Sequence, residues 1–568
     1  MLRYALHDRL LYFAQSSCRL AFLWVIQPNP GLMLHESLLL ILGLLFAVFL
    51  LVMLGQKLGI SYPIFLVLGG LGLSFVPGLP RVAIAPDIIF LIFLPPLLYE
   101  AAWTTSWNDF WRWRRPIALL AFGLVAFTSL IVAYVARAVI PGFTLALGFL
   151  LGGIISPPDA VAATSVLRGI RVPRRVTAIL EGESLINDAS SLIVFRFALL
   201  AVLSGTFAWQ QAATSFLLVS GMGLAVGLGV ACGFFLIHKY LPTTPSINTV
   251  LTFTAPYVMY LVAEEFHFSG VLAVVSGGLL LSHLSHRVFD ANTRLQANSV
   301  WASVSFVLNG LVFILIGLQL PIAVGGLGHY SLQQAIAYGL LMSGLVIVIR
   351  LLWMYPAAFI PRWLSKRIRT SEPSPGWQGT LVLGWAGMRG VVSLASALSV
   401  PLLAADGTAF PQRNLMLFIT FVVILVTLVV QGLTLPAVIR LTKIVERDDR
   451  TPLEAQEAGV RLHLRTTAVK HLQRQYPAEL EANELVARLQ QRMQTEVSLT
   501  TRTLNSLEAD QSGRDSLRQY HRILLDVLQV EREALAHLRH HDTFDDEVLR
   551  QQEAQLDLDE AKVKHIER

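Results

Sequence analysis

The chain has 568 residues, of which 54% are hydrophobic and only 14% charged, with a mean hydropathy of +0.59. A soluble domain carries roughly 25% charged residues, so this composition excludes a disordered chain, a nucleic-acid-binding protein and most soluble enzymes and points to a polytopic membrane protein. The net charge of +6 is unevenly spread: residues 1–450 hold 17 acidic and 28 basic side chains, residues 451–568 hold 21 and 16.

Residues 1–32 carry Arg3, Arg9 and Arg19 beside short apolar runs. No run there is long enough to span a bilayer, and the order of a secretory signal is missing. The segment reads either as an interfacial amphipathic helix or as an extension ahead of a true start at Met33. From Leu38 onward, apolar segments predict spans at about 38–58, 61–76, 86–103, 116–138, 143–166, 176–204, 212–237, 248–263, 269–282, 300–320, 333–360, 380–403 and 414–438. The two cysteines, Cys18 and Cys232, form no CxxC pair and no thiolate metal site.

Lysine and arginine alternate with these spans. Loops after odd-numbered spans hold Lys57; Arg112, Arg114 and Arg115; Arg168, Arg171, Arg174 and Arg175; Lys239; Arg287 and Arg294; and Arg362, Lys366, Arg367 and Arg369. Loops after even-numbered spans hold only Arg81, Arg137 and Arg413. Positive loops face the cytoplasm, so the first span starts outside and the tail lies inside. Three arginines ahead of that first span would sit on the wrong side, which favours Met33 as the start. Thirteen spans with one in the middle leave two six-helix units of opposite topology, the inverted repeat of many secondary transporters. The composition changes near 445–450. The predicted organisation is an N-terminal extension (1–32), a transmembrane domain (33–445) and a cytoplasmic helical tail (446–568).

Ionisable residues at bilayer depth are costly and mark functional sites. Three segments stand out. In the fifth span, Ser156-Pro157-Pro158-Asp159 places two prolines in mid-helix. They remove backbone donors and break the helix, and a break at that depth is tolerated where it lines a cavity. The freed carbonyls, the Ser156 hydroxyl and the Asp159 carboxylate offer hard oxygen ligands for an alkali cation. The plainer reading is a proline kink with Asp159 capping the next half-helix, and both can hold. In the sixth span, Glu181-Gly182-Glu183-Ser184-Leu185-Ile186-Asn187-Asp188 sets Asp188 at mid-depth. A carboxylate there binds either a cation or a proton, so the two compete; Asn187 beside it orients a ligand or a water. Glu183 points to a different side of the helix and reads as a structural carboxylate. In the twelfth span, Gly384, Gly387 and Gly390 surround Arg389 and predict a second unwound segment. The fifth and twelfth spans occupy matching positions in the two units, as paired interrupted helices do at transporter sites. Glu183 enters from the same side at similar depth, so it is assigned as the partner of Arg389. Arg350 is placed near a span end, where it snorkels. Arg196, two turns past Asp188, is a second candidate counter-ion for it.

These segments, LPPLLYEAAW (94–103), ISPPDAVAATSV (155–166), EGESLINDAS (181–190), FHFSGVLAVVSGGLL (266–280), FVLNGLVFILIGLQLP (306–321) and GWAGMRGVVSLASAL (384–398), resemble the monovalent cation:proton antiporter-1 family, which includes bacterial sodium/proton antiporters and animal sodium/hydrogen exchangers. The resemblance covers about residues 36–440, with all six segments in order. It implies an all-α membrane protein with a dimerisation domain and a core domain built on two crossing broken helices. It also implies a homodimer in the cell membrane and electroneutral exchange of one cation for one proton in pH and sodium homeostasis. By motif, Asp188 and Asn187 match the ion-binding pair, Ser156 and Asp159 the polar pair of the first broken helix, and Glu183 and Arg389 the structural ion pair. Glu100 aligns with a carboxylate that completes the cation site in some prokaryotic members. Asp188 and Asp159 are thus the expected Na⁺ ligands, and no resident cofactor is implied. One departure is the Pro-Asp order at Pro158-Asp159 where many relatives have Asp-Pro.

In the tail, LHLRTTAVKHLQRQ and LRQYHRILLDVLQVEREALAHLR show helical apolar spacing with charged faces, predicting two or more amphipathic helices. Three other functions remain open. Potassium rather than sodium is the rival cargo. An intramembrane aspartyl protease would use Asp159 and Asp188 as an acid–base dyad but leaves Asn187, Glu183 and the Arg389 segment unexplained. A membrane sensor signalling through its tail needs no buried carboxylates at matching breaks.

Overall fold

The computed structural model describes residues 34–77, 89–167, 170, 172–205, 209–328, 330–371, 374, 376–404, 407–444, 453–509, 511–538 and 546–567. The reading of residues 1–32 and the composition change at 445–450 lie outside them. Among the described residues the chain is helical, with an isolated bridge between Leu403 and Ala409 as its one trace of β-structure. It divides into two compact units, 1–447 and 448–568.

In the first unit, apart from the short helices Trp107–Arg112, Leu320–Gly325 and Lys366–Ser371, the main helices are α1 (Leu34–Leu58), α2 (Tyr62–Leu73), α3 (Leu94–Thr104), α4 (Arg114–Val139), α5 (Leu145–Ile155), α6 (Ala160–Leu167), α7 (Arg174–Ser204), α8 (Trp209–Tyr240), α9 (Pro245–Glu265), α10 (Gly270–Leu284), α11 (Ala291–Leu318), α12 (Leu332–Leu364), α13 (Trp377–Trp385), α14 (Val391–Leu398) and α15 (Arg413–Thr442). Each of the thirteen apolar segments read from the sequence has a counterpart, with α5–α6 and α13–α14 each forming one interrupted segment. Nine stretches of the described residues are long and apolar enough to cross a membrane.

Local chemistry sets where these helices start. Thr144, Thr244, Ser269 and Asp290 accept the backbone N–H three residues on, capping α5, α9, α10 and α11. Ser331 and Gln334 close a reciprocal capping box on α12. Pro63 and Pro245 sit in first turns, where a missing donor costs nothing.

The apolar interior forms two clusters. The larger joins α1, α2, α4–α7 and α11–α15. The smaller joins α3, α8, α9 and α10, with Trp301 from α11. Helix α7 contributes to both: Val176, Ile179, Leu180, Phe195 and Ala198 face the first, Leu185 and Ala189 the second. Asp188 is therefore carried on the helix at the seam between the two.

The second unit is built mainly of α16 (Leu453–Gln475), α17 (Glu484–Ala509), α18 (Gln511–Leu538) and α19 (Asp546–Glu567), with a short helix, Pro477–Ala482, between the first two. Arg465 bridges α16 to Glu496 of α17 at 2.8 Å. Arg532 of α18 holds Asp557 and Glu560 of α19 at 2.7 and 2.6 Å, and the hydrogen bonds it donates to those carboxylates push its pKa up.

Candidate ion-binding site at two crossing helix breaks

The first break spans residues 156–159, between α5 and α6; the second spans 386–390, between α13 and α14. The two meet. The Asp159 backbone N–H donates to the Met388 carbonyl at 2.6 Å. Arg389 Nε donates to the Ile155 carbonyl at 3.1 Å, and its Nη2 to the Ser156 carbonyl at 3.4 Å. Its Nη1 donates to the Gly387 carbonyl. A Cβ on Gly390 would collide with the Asp159 carboxylate, so the approach requires glycine there.

Five of the residues predicted for the site sit in or beside this crossing. Asp159 accepts from the Val161 N–H at 2.8 Å through Oδ1, the half-helix cap of the plainer reading. Its Oδ2 is buried with no hydrogen-bond partner. Asn187 Nδ2 donates to the Pro158 carbonyl at 3.1 Å, while its buried Oδ1 has no partner. Asp188 is 8% exposed, and its electrostatic neighbour is Asp159. Among the described residues, no hydrogen-bond donor meets the Asp188 carboxylate. Ser156 is fully buried, its hydroxyl donating to Gly153 at 3.4 Å. Arg389 is fully buried beside them. Glu100 lies elsewhere: it is near the end of α3, and its carboxylate neighbours Glu181.

The expected pairing of Glu183 with Arg389 is overturned. Arg350 Nη1 and Nη2 hold the two Glu183 carboxylate oxygens at 2.5 and 2.9 Å. Both side chains are buried, at 0% and 1% exposure. Arg350 also donates to the Leu383 carbonyl at 3.1 Å, tying α7, α12 and α13 together. It does not snorkel. Arg389 takes another role because it lies inside a break, where carbonyls released from helical bonding need donors. It serves three of them. A Cβ on Gly387 would collide with the Arg350 side chain, so this glycine admits the ion pair. Arg196 does not reach Asp188 either; it grips Glu264 at 2.6 and 2.8 Å on an accessible face.

Two further residues were missed from sequence. Ser184 accepts the Ala160 N–H at 3.2 Å and so caps α6 from α7. Its signal was available: it precedes Asp188 by four residues and shares its helix face. Thr427 accepts the Arg389 backbone N–H at 3.1 Å. It opens a π-helical turn, Thr427–Gln431, which 3.6-residue periodicity does not reveal.

The centre thus holds three carboxylates, buried Asp188 and Glu183 and half-buried Asp159 with its Oδ2 turned inward, against two buried guanidiniums, Arg350 and Arg389. Two nearby carboxylates cannot both stay ionised in low dielectric without a further positive charge. Among the described residues no group of three or more His, Cys, Asp or Glu side chains could hold a metal ion. Oxygen ligands here would come from two carboxylates together with amide, hydroxyl and backbone oxygens, a hard donor set suited to an alkali cation.

Residues 42–441 match the family described as sodium/hydrogen exchanger, transmembrane. An uncharacterized Na⁺/H⁺ exchanger of Mycobacterium tuberculosis is 31% identical over 93% of this chain and 96% of its own. A sodium, potassium, lithium and rubidium/H⁺ antiporter of Bacillus subtilis is 35% identical over 65% of this chain and 56% of its own. The Na⁺/H⁺ antiporter of Aphanothece halophytica is 34% identical over 67% and 69%. The structure of the sodium/proton antiporter of Methanocaldococcus jannaschii superposes with a TM-score of 0.58 at 21% identity, covering 71% of this chain and all of that one.

Proposed function

The chain belongs to the transmembrane sodium/hydrogen exchanger family, and we propose that it is a secondary antiporter exchanging Na⁺ for protons by alternating access, with Asp188 as the shared ligand. The observation that carries this reading is the charge balance at the crossing. Two buried carboxylates, Asp188 and Glu183, and half-buried Asp159 face two buried guanidiniums, and Arg389 is engaged by backbone carbonyls rather than by Asp159 or Asp188. One monovalent cation or one proton closes the deficit. Either loaded state then crosses the membrane without net buried charge, which favours one-for-one, electroneutral exchange. Asp159, Ser156 and Asn187 supply the remaining oxygens. Glu183 and Arg350 hold the scaffold around them.

In this scheme α7, which faces both apolar clusters, carries the loaded site as one bundle rocks against the other. The protein works as a homodimer in the cell membrane with its tail in the cytoplasm, and Na⁺ and H⁺ are cargo rather than cofactors. The experiment is dissipation of a pH gradient by the full-length protein in liposomes, with Na⁺, Li⁺ and K⁺ added in turn. Na⁺-driven dissipation supports the reading. A response to K⁺ alone replaces the cargo, and no response to any of the three removes antiport.

A further inference from the structure

Three of the arginines that the charge pattern assigns to separate loops converge on one pocket. Arg115 comes from the start of α4, Arg175 from the start of α7 and Arg362 from the end of α12. All three are half-buried. Arg175 stacks over the Trp113 ring, 5.6 Å from its centroid, and donates to the Ser374 carbonyl at 3.1 Å. Arg174, next in the chain, is turned to Asp109 at 3.1 Å. Below the arginines the wall is apolar: Leu120, Ile179, Met354, Ala357, Ala358 and Leu383. The two alanines keep that wall open.

The surroundings fix the level of this pocket in the bilayer. Trp107, Trp111, Trp363 and Trp377 are all exposed and belong to the loops and helix ends that carry the arginines. Exposed tryptophan gathers at the membrane–water boundary. Three guanidiniums share this pocket with an apolar wall in which Leu120, Ile179, Met354 and Leu383 are buried and Ala357 and Ala358 are half-buried. A guanidinium offers five donors in a planar fork and can grip a phosphate while keeping a backbone carbonyl. Basic pockets between transmembrane helices on the cytoplasmic side are built to take phosphate-bearing lipid head groups.

We propose that this pocket binds one anionic phospholipid, its phosphate among Arg115, Arg175 and Arg362 and an acyl chain against Ala357 and Ala358. A soluble phosphate ester would satisfy the arginines alone; the apolar wall and the tryptophan level favour the lipid. The bound lipid would bridge α4, α7, α12 and α13, two of which hold Glu183 and Arg350.

The test uses delipidated full-length protein in detergent and reads thermal stability and lipid retention by native mass spectrometry. It therefore does not depend on whether the chain exchanges cations. Dioleoyl-phosphatidylglycerol is titrated against dioleoyl-phosphatidylcholine and glycerol 3-phosphate. The expected result is retention and stabilisation by phosphatidylglycerol only, weakened about tenfold for each arginine removed in Arg115→Gln and Arg362→Gln. Arg287→Gln, an exposed basic residue away from the pocket, should bind as the unaltered protein. Ala358→Leu keeps every charge but fills the wall and should also lose retention, which preserves the test if the arginine variants fold poorly. Equal stabilisation by glycerol 3-phosphate would overturn the lipid assignment. Unchanged phosphatidylglycerol retention in Ala358→Leu and in whichever arginine variants fold would overturn the site.

Discussion

The protein interrupts two helices by different means, and the difference decides what each break contributes. At residues 156–159, Pro157 and Pro158 remove backbone donors, so the interruption is chemical. At residues 386–390 there is no proline. There the glycines make room: Gly387 for the Arg350 side chain, Gly390 for the Asp159 carboxylate. The first break presents a carboxylate, the second a guanidinium, yet these two do not neutralise each other. Arg389 serves carbonyls of both breaks, and the second break's backbone in turn holds Asp159 in place. A cationic side chain used as a hydrogen-bonding clasp leaves the neighbouring carboxylates available for a mobile ion.

The strongest way to break this comparison is to remove a carboxylate without disturbing either clasp. Asp188→Asn preserves shape and the helix, and no donor among the described residues depends on its carboxylate. The expectation is normal folded yield with no detectable cation-dependent proton movement in liposomes. Retained exchange would mean that the ion binds elsewhere.

The next largest effect separates the two buried arginines. Arg350→Ala strands Glu183 at 1% exposure, a loss of about 3–5 kcal/mol for a buried pair broken from one side. Folded, monodisperse protein should largely disappear, and Glu183→Ala should behave alike. A double replacement, Glu183→Leu with Arg350→Met, should recover yield because no charge is stranded. If the double variant is as poor as either single one, the pair does more than compensate its own burial.

A smaller change sharpens the spatial account of the second break. Gly390→Ala drives a methyl group into the Asp159 carboxylate, an overpacking cost of about 1–3 kcal/mol. Lower transport and weaker cation dependence are expected, with melting temperature reduced but folding intact. Gly384→Ala meets Leu351 and Met354 instead and should affect stability more than cation dependence.

How far the sequence could be read follows from which features are local. Hydropathy located every apolar helix, because each must supply its own apolar surface. Pro157-Pro158 located the first break, because proline acts on its own backbone. The glycines located the second, although they read as helix destabilisers while their role is to admit Arg350 and Asp159. The partner of Glu183 was not legible. Depth along a helix is a one-dimensional quantity, and Arg389 matched it; the choice between Arg389 and Arg350 depends on which helix faces Glu183. Arg350 sits in VIVIRLLW, an apolar run, and a guanidinium retained there should have been read as paired. Thr427 was hidden by the π turn that aims it.

The smallest expected effects concern the two hydroxyls that steady the breaks, Ser184 for the first and Thr427 for the second. Each accepts one backbone N–H, from Ala160 at 3.2 Å and from Arg389 at 3.1 Å. Removing either acceptor leaves a backbone donor unmet, half-buried at Ala160 and buried at Arg389, so Ser184→Ala and Thr427→Val should each cost about 1–3 kcal/mol of stability, the former at the low end. Their transport effects should diverge. Ala160 directly follows Asp159, so losing the Ser184 acceptor frees the backbone that orients the candidate ligand, and half-saturating Na⁺ should rise. Arg389 keeps its three side-chain bonds to carbonyls when Thr427 is lost, so the crossing stays clasped and half-saturating Na⁺ should hold. Measuring melting temperature and Na⁺ dependence in the same preparations decides the matter. Equal shifts in Na⁺ dependence would mean that the breaks respond as one rigid unit, and that the division between an ion-presenting break and a clasping break is wrong.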